Sequence, residues 1–210
     1  MYKLFSVDDH IMEPAHAYTA HVAAKYRDRV PHITKDAQTG KDEWTWEGGH
    51  KISAGLYAVA GKKPEEWNFD PIGYEDMVRG CYDPEQRAKD FLSNGICASV
   101  AFPTLAGFGG ELFLQFQDKD LAGACVEAYN NFILDEWCQA GPKGMHVPMI
   151  IGKTWDPEAT AKEIQRCVKK GARAIAWMEN PYGYNLPTYW TDHWDPVWAA
   201  AVETDIAICI

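Results

Sequence analysis

An Asp-Pro dipeptide followed by a helical apolar pattern and then by a short apolar run occurs three times in this chain, starting at Asp83, Asp156 and Asp195. Aspartate is a favoured helix N-cap, and proline fits the first helical position, so each dipeptide predicts the start of a helix. The apolar run after each helix predicts a buried strand. Strands that alternate with helices predict an α/β fold with a parallel sheet, because parallel neighbours need crossover connections.

Five strands are predicted along the 210 residues. A long amphipathic helix over residues 118–139 lies between the second and the third strand. The interval 11–82 is the irregular part of the chain, and Gly48-Gly49 is expected to turn a small hairpin there. We interpret about 15–80 as an insertion after the first strand and not as a second domain. The predicted strands cover residues 3–7, 97–102, 147–152, 172–177 and 206–210.

Composition limits the classes of function. Lys and Arg number 20 against 30 Asp and Glu, and the net charge of −10 argues against nucleic acid or an anionic membrane as a partner, since both attract a positive surface. No apolar run approaches the roughly 18–20 residues of a membrane span, and the first residues turn acidic too early for a signal peptide. The six cysteines form no C-x-x-C pair and are expected to be buried thiols. We therefore expect a cytoplasmic protein.

The strongest local signal for chemistry is Asp8-Asp9-His10, at the carboxyl end of the first predicted strand. Side chains alternate along a strand, so Asp8 and His10 project to one side and Asp9 to the other. A carboxylate and an imidazole two residues apart can bind one divalent ion, which requires donor atoms roughly 3–4 Å apart. Asp8 and His10 are therefore candidate metal ligands. The alternative is an exposed acidic turn with a pairing histidine.

Four further residues are candidates for binding substrate. Glu179 and Asn180 follow the fourth predicted strand, at the edge where parallel α/β folds place their active sites; the alternative is a structural role at this rim. His193 precedes a helix and is a candidate for substrate contact, whereas Asp195 is expected to be the N-cap of that helix. Trp155 follows the third strand and is expected to wall the pocket or to pack in the core. The motifs of serine hydrolases and zinc proteases are absent from the sequence.

Several longer segments resemble a known family. Residues 6–14, Ser-Val-Asp-Asp-His-Ile-Met-Glu-Pro, resemble the opening of the amidohydrolase-related family (amidohydrolase family 2), which includes aminocarboxymuconate-semialdehyde decarboxylase and γ-resorcylate decarboxylase. The resemblance covers nearly the whole chain, apart from about 15–72. Further matches follow in order at residues 80–87, 101–104, 128–131, 155–158, 179–181 and 194–198.

The resemblance implies a (β/α)₈ barrel of the TIM-barrel type with one Zn²⁺ or Mn²⁺ at the carboxyl ends of its strands. The first-strand ligands of the family fall on Asp8 and His10. A ligand histidine after the fifth barrel strand, an acid/base histidine after the sixth and a ligand aspartate after the eighth would all lie beyond Ile210. A barrel of this type takes about 250 residues. Residues 1–210 are thus expected to be the N-terminal part of a single barrel domain, with about its first five strands.

For function, the resemblance implies a metal-dependent enzyme. A non-oxidative decarboxylase, a carbon–carbon lyase, is favoured slightly over a hydrolase, with a small aromatic or unsaturated carboxylic acid as substrate. The full-length protein is expected to form a homo-oligomer, a dimer. The alternative is a non-catalytic truncated or half-barrel chain that acts only with a partner or as a fragment. Expressed alone, the 210 residues are expected to be inactive and poorly soluble, because an unclosed sheet exposes unpaired edges.

Overall fold

The computed structural model describes residues 3–53, 62–67 and 73–210. The helices of these residues are α1 (Pro84–Ser93), α2 (Glu111–Leu114), α3 (Lys119–Asp135), α4 (Pro157–Lys169) and α5 (Asp195–Thr204). The strands are β1 (Leu4–Ile11), β2 (His32–Lys35), β3 (Asp42–Trp46), β4 (His50–Ser53), β5 (Ile96–Pro103), β6 (His146–Val147), β7 (Met149–Ile151), β8 (Ala174–Ala176) and β9 (Ala207–Cys209).

All three of these Asp-Pro dipeptides stand at the start of a helix, as predicted, and in two of them the aspartate side chain caps the helix. The side chain of Asp83 accepts a hydrogen bond from the Gln86 amide at 3.0 Å, and Asp156 caps α4 in the same way. The expectation that Asp195 caps the third helix is wrong. A short 3₁₀ turn over Asp192–Trp194 runs directly into α5, so Asp195 already has helical backbone angles and Trp194 occupies the cap position.

The α/β class and the parallel direction of the predicted strands are confirmed. β1 pairs in parallel with β5, which pairs with β6, and β7 pairs in parallel with β8, which pairs with β9. The predicted third strand is divided at Pro148, which has no amide hydrogen to donate to a ladder. Its carbonyl still accepts from the Arg173 amide at 2.9 Å. The described strands thus form two three-stranded parallel sheets, and closure into a barrel stays a prediction.

β1 and β9 each pair on one side only within the described residues. Leu4, Phe5 and Val7 of β1 are exposed. The unpaired side of β1 and these exposed apolar side chains are the reason to expect poor solubility.

The predicted hairpin is confirmed as part of a second kind of sheet. β2, β3 and β4 are antiparallel, and β3 turns into β4 through Gly48 and Gly49, which both have positive φ angles that favour glycine. Trp44 of β3 is buried, and its ring meets that of Tyr18 edge-on at 5.9 Å, so this sheet packs on the core. Residues 54–61 and 68–72 of the interpreted insertion lie outside the described residues.

The core has two main clusters of buried side chains. The larger lies between α3, the parallel strands and the antiparallel sheet, and the other lies around β8, α4 and α5. The predicted apolar face of the long helix is confirmed, although α3 ends at Asp135 and a separate 3₁₀ turn follows it. The buried residues of that face and turn are Leu121, Cys125, Tyr129, Phe132, Ile133 and Trp137.

A buried amide ties α3 to the carboxyl end of β7. Asn130 Nδ2 donates to the Ile151 carbonyl at 3.0 Å, and its Oδ1 accepts from the Ile151 amide at 2.9 Å. Nδ2 also donates to Glu163 Oε1 of α4 at 2.8 Å. Burial alone would raise the pKa of Glu163, but hydrogen bonds from Arg166 and Asn130 outweigh it and hold this pKa below its ordinary value. Three elements therefore depend on one side chain.

No helix in the described part of the chain is long and apolar enough to cross a lipid bilayer.

Asn130→Ala should destabilise the fold by about 2–4 kcal/mol, because it leaves the buried amide and carbonyl of Ile151 without partners. Urea unfolding followed by circular dichroism measures the change. Gln115→Ala, at an exposed amide, is the control and should shift stability by less than about 0.5 kcal/mol. Equal midpoints for Asn130→Ala and the parent would contradict the role given to Asn130.

Candidate metal pair and substrate cleft

Asp8 and His10 lie together near the carboxyl end of β1. Asp8 Oδ1 is 3.9 Å from His10 Nε2, within the separation expected from the sequence, and the two side chains are 78% and 44% exposed. Asp9 lies apart from them, as expected, and accepts a hydrogen bond from the Ser99 hydroxyl of β5. The register of β1 against β5 shifts between Ser6 and Asp9, and such an irregularity re-aims side chains at a strand end.

The donor set fits a divalent ion. Two ligands at about 2.0–2.2 Å from one ion lie about 3.0–3.5 Å apart at ordinary coordination angles, so a small rotation of two exposed side chains suffices. One carboxylate oxygen and one imidazole nitrogen suit both Zn²⁺ and Mn²⁺. Among the residues that the structure describes, no three or more His, Cys, Asp or Glu side chains are grouped to hold an ion. An ion bound to this pair would therefore need further ligands.

The His10 ring packs against two aromatic rings that also contact each other. Its centroid is 5.9 Å from that of Phe102 and 5.4 Å from that of Phe108, with the second contact edge-on. The Arg87 guanidinium of α1 donates to the His10 carbonyl. Packing and backbone anchoring thus restrict the orientation of the half-exposed His10 side chain.

Glu13 anchors the loop that follows β5. Its carboxylate is fully buried and accepts hydrogen bonds from the amides of Leu105, at 3.0 Å, and Ala106, at 3.3 Å. The Tyr18 hydroxyl also donates to it at 3.4 Å. Burial raises the pKa of Glu13 above its ordinary value, and the backbone amides oppose that rise. Sequence reasoning assigned no role to Glu13, although it belongs to the segment that carries the family resemblance.

The same loop, which follows β5, contacts both β1 and the chain that follows β8. Phe108 lies on it and packs on His10. A Cβ atom on Gly109 would stand 2.5 Å from the Met178 amide nitrogen, so only glycine allows this close approach to the chain after β8. The loop therefore brings the surroundings of the candidate metal pair next to the residues that follow β8.

A cleft of about 810 Å³ opens at this junction. The predicted residues Glu179 and Asn180 both line it, on the chain that follows β8. Phe108 belongs both to the cleft and to the packing around His10. The other lining residues are Gly107, Glu111, Trp177, Gly183, Tyr184 and Ile210.

The cleft has an acidic side that sequence reasoning missed. Glu111 is half-buried, and its carboxylate accepts from the Gly109 amide at 3.0 Å. Burial raises the pKa of Glu111, and the negative charge of Glu179 raises it further. Glu111 begins α2, where an acidic residue is ordinarily explained by the helix dipole, so its sequence position carried no signal of a cleft.

Two predicted site residues are not brought to this cleft. Trp155 packs against the larger core cluster, and the Lys119 ammonium lies 5.0 Å from its ring centroid. His193 lies in the 3₁₀ turn before α5, with its ring edge-on to Trp194 at 4.6 Å. Their contact with substrate stays a prediction.

No protein-family model matches the sequence, and neither does any curated protein. Solved structures do match. An amidohydrolase from Mycobacterium avium subsp. paratuberculosis K-10 is 19% identical, with a TM-score of 0.69 over 99% of this chain and 58% of that chain. A 5-carboxyvanillate decarboxylase mutant from Novosphingobium aromaticivorans, with bound manganese and 3-methoxy-4-hydroxy-5-nitrobenzoic acid, is 15% identical, with a TM-score of 0.53 over 99% of this chain and 50% of that chain.

These likenesses show the fold. They agree with the resemblance to the amidohydrolase-related family at that level. The chain spans between half and three fifths of the length of the two structures.

Glu13→Gln should lower the free energy of unfolding by about 1–3 kcal/mol, because one acceptor oxygen of the carboxylate becomes a carboxamide NH₂ donor that faces the amides of Leu105 and Ala106. Amide hydrogen exchange at these two residues should quicken. Glu203→Gln, on the exposed side of α5, is the control and should leave both quantities unchanged. Unaltered exchange at Leu105 and Ala106 in Glu13→Gln would mean that the carboxylate does not hold the loop.

The stability gap between the parent and Glu13→Gln should narrow as pH rises. The folded pKa of Glu13 is raised above its ordinary value of 4.5, so its contribution to stability is full below that value and is lost as pH rises through the folded pKa. The amide of the variant does not titrate. Urea unfolding at pH 4 to 7 measures the gap, and a gap that widens with pH would show that the pKa is lowered instead.

Proposed function

We propose that this chain is part of a metal-dependent enzyme of the amidohydrolase-related family, in which Asp8 and His10 are two ligands of a single Zn²⁺ or Mn²⁺. The observation that carries the proposal is the 3.9 Å separation of Asp8 Oδ1 and His10 Nε2 at the carboxyl end of a parallel strand, next to an open cleft. The manganese bound to the decarboxylase of the same fold supports a divalent ion.

The favoured reaction is non-oxidative decarboxylation of a small aromatic or unsaturated carboxylic acid. Its support is the likeness of fold to a 5-carboxyvanillate decarboxylase together with the aromatic lining of the cleft. When bound, the ion would supply positive charge that orients a carboxylate and stabilises negative charge. Hydrolysis is the second candidate, since the other matched structure is an amidohydrolase.

The residues of this chain would bind and orient the substrate. Phe108 and Tyr184 offer apolar surface to a flat molecule, and Glu179 and Asn180 offer polar groups at the rim of the cleft. Phe108 also restricts the His10 ring, so the same side chain shapes the cleft and orients a ligand. We assign the acid/base role to no residue of this chain.

We also propose that the protein works in the cytoplasm on a small-molecule substrate. All six cysteines are free thiols in the structure, as suits a reducing compartment. The dimer expected for the full-length protein stays a prediction.

His10→Ala and Asp8→Asn should each weaken Mn²⁺ binding by at least about tenfold, because the first removes the imidazole ligand and the second replaces a charged carboxylate ligand with a neutral amide oxygen. Electron paramagnetic resonance of free Mn²⁺ during titration measures binding directly and needs no substrate. Asp9→Asn is the matched control. Its side chain can still accept from Ser99, so binding should equal that of the parent.

Equal Mn²⁺ binding by His10→Ala and the parent would end the metalloenzyme proposal at this position. A loss in Asp9→Asn as large as in Asp8→Asn would move the ligand to the other carboxylate.

A further inference from the structure

The cleft beside the candidate metal pair combines two carboxylates with aromatic surface. Glu111 and Glu179 line it together with the rings of Phe108 and Tyr184, which are 50% and 41% exposed. No lysine, arginine or histidine is among the described residues that line it. The described side chains that line this cleft therefore carry net negative charge.

The acidic side of the cleft is held in place by the fold. The Glu111 carboxylate accepts from the Gly109 amide at 3.0 Å. Gly109 is itself fixed by its close approach to the Met178 backbone. Glu179 follows Met178 directly, so the loop after β5 and the chain after β8 present their carboxylates to one space.

The two carboxylates repel each other through this space. Burial raises the pKa of Glu111, and the charge of Glu179 raises it further. Burial also raises the pKa of Tyr184, and the charges of both carboxylates add to that rise. A cation placed between the two carboxylates would relieve this repulsion, whereas an anion would increase it.

The carboxylates and aromatic rings of the lining favour an organic cation as the ligand. An ammonium group can pair with carboxylates through charge-assisted hydrogen bonds, and its carbon framework can lie against Phe108 and Tyr184 with a favourable cation–π contribution. A cleft of about 810 Å³ is large enough for a small ring compound.

We propose that Glu111 and Glu179 bind a basic amine of the substrate, which is then an aromatic or unsaturated acid carrying an ammonium group at the end remote from its reacting carboxylate. Placement of the carboxylate towards Asp8 and His10 rests on the proposed function. The preference for the amine rests on the cleft alone. Phe108, which contacts His10 and lines the cleft, sets the direction between the two ends.

Three benzoates that differ only at the far end test the preference: 4-(aminomethyl)benzoate, 4-(hydroxymethyl)benzoate and terephthalate. Their dissociation constants for the purified chain are measured by NMR titration of backbone amides, without substrate turnover. The aminomethyl compound should bind at least about tenfold more tightly than the hydroxymethyl compound, and terephthalate should bind most weakly. The shifts should centre on Gly109, Glu111 and Glu179.

Glu179→Gln and Glu111→Gln should each reduce the ratio between the aminomethyl and hydroxymethyl compounds to about threefold or less, while affinity for the hydroxymethyl compound changes little. Glu203→Gln, on the exposed side of α5, should keep the parent ratio. Glu179 is exposed, so its variant retains the fold and keeps the test valid if Glu111→Gln proves unstable.

The proposal is overturned if the parent binds the aminomethyl and hydroxymethyl compounds equally, if terephthalate binds as tightly as either, or if no probe shifts the cleft residues at millimolar concentration. A parent ratio that both variants retain also overturns it. His10→Ala separates the two proposals. It should keep the amine preference, so normal Mn²⁺ binding by His10→Ala refutes the metal pair alone, and an absent amine preference refutes this inference alone.

Discussion

Parallel pairing of the strands determines where the candidate functional residues lie. Parallel neighbours cannot be joined by a tight turn, so chain segments with helices cross between them, and their carboxyl ends meet at one edge. Asp8 and His10 stand near that end of β1, Phe108 follows β5, and Glu179 follows β8. These residues are far apart in the sequence and share one side of the protein because the strands run in one direction.

The parallel pairing is interrupted at the centre of the described strands. Pro148 divides the third predicted strand, so β6 pairs with β5 while β7 pairs with β8. At the end of β7, the amide and carbonyl of Ile151 are satisfied by the side chain of Asn130. The Asn130 side chain of α3 thus makes the hydrogen bonds that a neighbouring strand would otherwise make. Its third hydrogen bond, to Glu163, holds α4 at the same place.

Much of this arrangement could be predicted from local sequence. The starts of α1 and α4, the buried face of α3, the hairpin at Gly48-Gly49 and the facing of Asp8 and His10 depend on residues within one or two turns of each other. Other features could be missed for identifiable reasons. The strand was predicted through Pro148 because its neighbours are apolar, although proline cannot donate to a ladder. Asp195 was assigned to the cap because the preceding 3₁₀ turn leaves no strong residue pattern.

The two glutamates that shape the site could not be found in this way. Glu13 is buried by partners 92 and 93 residues away, the amides of Leu105 and Ala106, and nothing near Glu13 indicates that they will be there. Glu111 faces Glu179 only because the loop after β5 approaches the chain after β8. A pattern along one element records which side chains that element buries, and it does not record the carboxylates that two loops bring to a common space.

One loop consequently links the parts of the candidate site. The buried Glu13 carboxylate holds its beginning, Phe108 in its middle packs on His10, and Gly109 seats it against Met178. Glu111 lies at the far end of the loop and accepts a hydrogen bond from the Gly109 amide, so the position of its carboxylate depends on the loop. Because Glu13 follows His10 by three residues, the segment that supplies the candidate ligands at the end of β1 also fixes this loop immediately after the strand. The candidate metal pair and the acidic cleft therefore depend on the same loop, and a displaced loop would change the orientation of His10 and the position of Glu111 together.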